Sequence, residues 1–137
     1  MKAVIFASSI RPGRMNDRVM KLVSTRLKAL GHAIRTVDPK CTPLPILKTP
    51  LHHYENPTDI PKFLNELNTM VKEADMLLFT TGEYNWCTPS PLVNLLDHLP
   101  PQPLLTNRPE LLATRPLRTK VNMVPQIFPS SSQIWAV

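Results

Sequence analysis

Two short segments combine residue types that can hold a phosphorylated, planar molecule. The first is Ser8-Ser9-Ile10-Arg11-Pro12-Gly13-Arg14-Met15-Asn16. Hydroxyls, a guanidinium and backbone N–H groups at a helix start together cradle a phosphate. Ser8, Ser9, Arg11 and Asn16 are the fitting types, and Arg14 adds charge. An ordinary polar turn capped by Ser and Asn accounts for the same residues about equally well, because short loop motifs often arise by chance. The second segment is Gly82-Glu83-Tyr84-Asn85-Trp86-Cys87-Thr88-Pro89. A flat ring could lie against Tyr84 or Trp86 while backbone groups meet its polar edge. An aromatic turn packed on its own helix is the plain alternative.

Each segment follows an apolar run, which is what would bring the two together. Lys2–Ala7 and Met76–Thr81 are short, rich in β-formers and bounded by turn residues, so both read as buried strands. His32–Val37 reads as a third strand. Between the first two in sequence, Met15, Val19, Leu22, Val23, Leu27 and Leu30 recur at helical spacing, and Gly31 supplies the stop. Thr58 or Asp59 can cap a helix running to about Ala74, with Pro61 in its first turn. Ser90-Pro91 opens a third helix that ends at Pro100-Pro101. The order β-α-β-α-β-α implies a parallel, doubly wound sheet. Loops at the carboxyl ends of its neighbouring strands converge on one crevice.

Composition narrows the function classes. The 137 residues carry 42% hydrophobic residues and a formal net charge of +6, consistent with a single folded domain. The Lys and Arg residues are scattered, without a basic block, which disfavours a nucleic-acid partner. Apolar runs are too short to span a bilayer, so no membrane role is expected. Two cysteines, Cys41 and Cys87, make no disulfide framework, and a cytoplasmic setting is expected. Cys87 reads as a small residue beside the turn rather than a redox centre. Cys41, His52 and His53 lack metal-ligand spacing, so no metal site is expected. Sixteen prolines against three glycines make the Pro39–Pro61 and Pro89–Pro116 stretches poor in regular structure.

The two loops also resemble a known family, the NADPH-dependent FMN reductases of flavodoxin-like fold, which includes quinone and chromate reductases. The family's Gly-Ser-x-Arg phosphate loop appears as Ser8-Ser9-Ile10-Arg11. Its Pro-Glu-Tyr-Asn-x-Ser-x-Pro-Gly-x-Leu-x-Asn motif appears as Gly82-Glu83-Tyr84-Asn85-Trp86-Cys87-Thr88-Pro89-Ser90-Pro91-Leu92-Val93-Asn94. Ser8, Gly82, Cys87 and Ser90 replace Gly, Pro, Ser and Gly, and Arg14 stands where many members have a second phosphate-binding Ser. The resemblance implies that Ser9, Arg11 and Asn16 hold the FMN phosphate, with Arg14 supplying charge. Glu83, Tyr84 and Asn85 would face the ribityl chain and isoalloxazine, with Trp86 beside them. It implies a cytoplasmic flavoprotein oxidoreductase that passes hydride from NADPH through FMN to a quinone, a flavin or another small-molecule acceptor. It further implies a homo-oligomer, and the first strand lying between the second and third.

The resemblance covers residues 1–99, a flavodoxin-like FMN-binding core. Residues 100–137 form a Pro-rich, shortened C-terminal part of the same domain, as an internal deletion after residue 99 would leave it. Leu111, Leu112, Leu117 and Val121 have a weak helical spacing, and Val124–Phe128 could form a short strand despite Pro125. The sheet is therefore expected to lack a complete fourth strand, and this tail to be the least ordered part of the chain. A second reading follows from that gap: a non-catalytic, truncated flavodoxin-like variant acting through protein–protein contacts.

Overall fold

Alternation along the first strand organises the whole molecule. In β1 (Lys2–Ala7) the residues Ala3 to Ala7 are all buried, so both faces of the strand are covered. Such a strand belongs in the middle of a parallel sheet. The computed structural model describes residues 1–101 in full and the backbone of 108–113 and 134–136. β1 pairs in parallel with β2 (Ala33–Val37) on one side and β3 (Met76–Thr81) on the other. β1 and β3 span the residues expected from sequence, and β2 differs by one residue.

Val4 and Phe6 point to one face, where they join Leu77 and Phe79 of β3. Phe6 and Phe79 are register partners whose rings stack with centroids 4.9 Å apart. Such a pair adds about 0.5–1.5 kcal/mol beyond the area it buries. Helices α2 (Lys62–Lys72) and α3 (Ser90–Asp97) close this face with Leu67, Val71, Leu92 and Leu95. The other face, with Ala3, Ile5 and Ala7, lies toward α1 (Asn16–Ala29).

Three helix expectations are adjusted. α2 begins at Lys62 rather than at Thr58, because Pro61 holds Ile60 extended at φ −71°, ψ 123°, and Pro57–Asp59 form a separate 3₁₀ turn. Ser90 opens α3, but its hydroxyl makes no capping hydrogen bond. Leu22 on α1 and its flanking residues Met15 and Leu30 are exposed, so the apolar stripe is only partly used.

The expected gap beyond β3 is corrected. β4 (Arg108–Ala113) pairs in parallel along the full length of β3, and β5 (Ile134–Ala136) pairs with Leu111–Ala113. The order among the described residues is β2-β1-β3-β4-β5, the flavodoxin-like order. The spacing at Leu111 and Leu112 suggested a helix, but the free edge of β3 offers backbone partners that local propensity cannot weigh. Among the described residues, Pro109 lies where β4 has β3 alone as neighbour, a position at which a missing N–H is tolerated. The helical reading at Leu117 and Val121 and the strand suggested at Val124–Phe128 lie outside the described residues, as does most of the tail expected to be least ordered.

Candidate functional site

The strand order reverses direction between β1 and β3, and the crevice of a doubly wound sheet opens at the carboxyl ends of that pair. The loop after β1 and the loop after β3 both emerge there. They are joined directly: Ser9 Oγ lies 2.6 Å from the Tyr84 hydroxyl. The backbone N–H of Arg11 donates to the same Ser9 Oγ at 3.3 Å. The Arg11 guanidinium stacks on the Tyr84 ring, 3.6 Å from its centroid. Ser9, Arg11 and Tyr84, expected from sequence at one site, are therefore in mutual contact.

Asn16 and Arg14 are placed differently. Asn16 is buried, and its side-chain amide donates to the backbone carbonyl of Thr80 at 2.7 Å. The Thr80 hydroxyl lies within reach of both the Phe6 carbonyl and Asn16 Oδ1. Ser8 Oγ accepts from the Gly82 N–H at 3.3 Å and from Asn16 Nδ2 at 3.5 Å. These bonds tie the start of α1 and both loops to the sheet. Arg14 donates to the Ser9 carbonyl, bidentately to Asp38, and from Nε to Asp17 at 2.7 Å. Its side chain is only 4% exposed. The hydrogen bond from Arg14 holds the Asp38 carboxyl below its ordinary pKa, with the N–H of Lys40 assisting and burial opposing.

Asp38 and Thr80 thus shape the site without standing among the residues expected to bind, and Ser8, a fitting type for a phosphate, instead has its hydroxyl engaged by Gly82 and Asn16. Asp38 was detectable in principle, because it follows β2 and so lies at the same end of the sheet. Thr80 and Asn16 are 64 residues apart, and only the β1–β3 pairing brings them together.

The second loop is a tight reversal. Tyr84 and Cys87 exchange backbone hydrogen bonds at 2.9 and 3.0 Å around Asn85 and Trp86. Both central residues have positive φ, 52° and 64°, the signature of a type I′ turn. Asn accepts this conformation readily, whereas a bulky residue such as Trp is strained in it. Trp86 is 71% exposed at the tip, Asn85 is exposed, and Glu83 and Tyr84 are half-buried.

A third loop borders the site. Asn94 of α3 clamps the Pro-rich segment, donating to the Pro45 carbonyl and accepting from the Leu47 N–H, both at 2.9 Å. His98 Nε2 lies 3.2 Å from the same Pro45 carbonyl. Between this segment, Ile10 and α3 lies an open cleft of about 590 Å³ walled by Ile46, Leu47, Pro91 and Val93.

The donor set fits FMN. The start of α1 has no side-chain cap; the Arg18 and Val19 N–H groups donate to the Met15 carbonyl, and the amides of Asn16 and Asp17 ahead of them stand where a helix start meets an anion. Arg11 is exposed and stands over an aromatic ring at the same place. No helix among the described residues is long and apolar enough to cross a membrane.

Comparisons with known proteins bear on the family and the fold. The family model of the NADPH-dependent FMN reductases matches residues 1–132. Comparison with curated proteins gives no match. Among solved structures, a candidate quinone reductase from Klebsiella pneumoniae superposes with a TM-score of 0.67 at 11% identity, over 84% of this chain and 59% of that one. The flavoenzyme NAD(P)H:(acceptor) oxidoreductase FerB of Paracoccus denitrificans gives 0.64 at 19% identity, over 82% of this chain and 60% of that one. The NAD(P)H:quinone oxidoreductase of Methanothermobacter marburgensis gives 0.65 at 14% identity, over 84% and 66%. The chain spans less than two thirds of the length of these three structures, and the likeness establishes the fold.

Proposed function

The chain belongs to the NADPH-dependent FMN reductase family, and from that premise we propose that it binds FMN across the loops after β1 and β3. In this reading it serves as an NADPH-dependent oxidoreductase for a small-molecule acceptor such as a quinone or a flavin. The observation that carries the reading is the Ser9–Tyr84 contact at 2.6 Å, which joins the phosphate-type loop to the aromatic loop at the β1/β3 switch point.

The residues divide into two roles. Ser9, Arg11 and the first amides of α1 hold the phosphate. Tyr84, with Glu83, Asn85 and Trp86 around it, faces the ribityl chain and the ring. Arg14 and Asn16 act from behind the loop: Arg14 is engaged by Asp17 and Asp38, and Asn16 by Thr80. When bound, FMN supplies hydride transfer between the nicotinamide and the acceptor, and the protein contributes binding and orientation. No side-chain acid or base is required for that step. The apolar cleft beside Ile10 and Val93 suits a flat acceptor or the face of a second subunit in a homo-oligomer.

Titration of the purified chain with FMN, followed by quenching of flavin fluorescence, tests the reading. Binding well below a Kd of about 1 mM, together with NADPH oxidation that depends on added quinone, is the expected result. Absence of FMN binding would overturn it in favour of a non-catalytic chain acting through protein contacts.

A further inference from the structure

The Arg11–Tyr84 contact does more than mark the site. Arg11, Ser9 and Tyr84 close a small ring of interactions: Arg11 N–H to Ser9 Oγ at 3.3 Å, Ser9 Oγ to the Tyr84 hydroxyl at 2.6 Å, and the Tyr84 ring to the Arg11 guanidinium at 3.6 Å. The hydroxyl contact fixes the phenol at one end. The guanidinium then covers a face of the ring. A flat ligand that stacks on that face has to displace the guanidinium first.

We propose that Arg11 is a selectivity latch, which keeps the Tyr84 face covered until a ligand phosphate draws the guanidinium away. The proposal rests on the FMN reading above and adds a discrimination to it. A phosphorylated flavin offers the guanidinium a charge-assisted partner in exchange for the ring. Riboflavin competes for the ring and offers nothing in return. The neighbouring Arg14 cannot substitute, because Asp17 and Asp38 hold its guanidinium. Discrimination of this kind combines an attractive contact to the right ligand with an obstacle to the wrong one.

The two parts have opposite signatures in one variant. In Arg11→Ala, loss of the charge-assisted hydrogen bond lowers FMN affinity by about tenfold or more. Loss of the covering cation–π contact raises riboflavin affinity by about 2–5-fold, the equivalent of an exposed contact of this type. Both affinities are measured by quenching of flavin fluorescence on the full chain. Arg11→Lys keeps the charge on a more compact, less well stacked head, and is expected to preserve most FMN binding while admitting more riboflavin.

A measurement on the wild-type protein without flavin keeps the proposal decidable even where Arg11→Ala fails to fold. The Arg11 side-chain protons are expected to show a ring-current shift in NMR spectra. That shift is expected to vanish in Tyr84→Leu and on addition of FMN, and to diminish on addition of inorganic phosphate at concentrations that occupy the site. Lower FMN affinity with unchanged or lower riboflavin affinity overturns the latch and leaves the FMN site standing. An absent ring-current shift likewise overturns the latch alone. Failure of wild type and variants to bind either flavin overturns the FMN reading, and the latch with it.

Discussion

The two loops that meet at the crevice are built in opposite ways. The loop after β1 is held from below by buried and part-buried polar bonds: Asn16 to the Thr80 carbonyl, Ser8 to the Gly82 N–H, and Arg14 to Asp38 and the Ser9 carbonyl. The loop after β3 meets the first loop through the Gly82 N–H and the Tyr84 hydroxyl. It closes on itself through Tyr84 and Cys87, and carries two non-glycine residues at positive φ, one an exposed Trp. The first loop is preorganised by the sheet. The second stores local strain at its tip, a feature that clusters where ligands are clamped. The Ser9–Tyr84 contact lets the rigid loop position the strained one.

The largest disturbance to this contrast is expected at Asn16. In Asn16→Ala the Thr80 carbonyl and the Ser8 hydroxyl lose a buried partner, and a buried polar group left unpaired costs about 1–3 kcal/mol. The urea midpoint of unfolding is expected to fall accordingly. An unchanged midpoint would show that the first loop is not held through the sheet.

Asp38→Asn tests the other anchor, and its effect depends on pH. The Asp38 carboxyl is depressed in the folded chain by the Arg14 hydrogen bond. A depressed acid stabilises the fold above its unfolded pKa, about 3.9, and that contribution is lost as pH falls through the folded value. Wild type is therefore expected to exceed Asp38→Asn in stability at neutral pH by about 1 kcal/mol, the excess of a charge-assisted bond over the neutral one that Asn can still accept, reduced by solvent screening. The gap should close progressively below about pH 4. A gap that stays constant down to pH 2 would mean that charge on Asp38 is irrelevant.

The smallest expected effect is on the second loop and has the opposite sign. Trp86→Gly places a glycine directly after Asn85, and Asn followed by Gly is a favoured pair for a type I′ turn. Relief of the left-handed backbone, set against the greater freedom of glycine in the unfolded chain, is expected to raise stability by up to about 1 kcal/mol, read as a higher thermal midpoint. A simultaneous loss of FMN affinity would place the Trp86 ring at the ligand, and would show that the strain serves binding. A lower thermal midpoint would mean that Trp86 packs in a way that outweighs its backbone.

The elements legible in the chain are those whose pattern is local. β1 and β3 are short apolar runs buried on both faces, and Gly31 marks the end of α1 at positive φ. That Ser9, Arg11 and Tyr84 are neighbours was legible because a parallel sheet brings the ends of β1 and β3 together whatever else the chain does. β4 was not legible. Arg-Pro-Glu-Leu-Leu-Ala carries a Pro and residues that favour helices, and it is a strand because β3 presents an open edge beside it.

What the amino-acid sequence determined by itself is the parallel α/β class, the two loops and their residue types, since hydrophobic period and turn chemistry act over a few residues. Tertiary structure alone decided the division of labour among the polar residues. Arg11 and Arg14 are three positions apart and chemically identical. One lies over the Tyr84 ring and the other is locked to Asp38, because β2 delivers a carboxylate to Arg14 while β3 delivers an aromatic face to Arg11. Which partner arrives depends on strand order, and strand order is set by contacts tens of residues apart that no local pattern encodes.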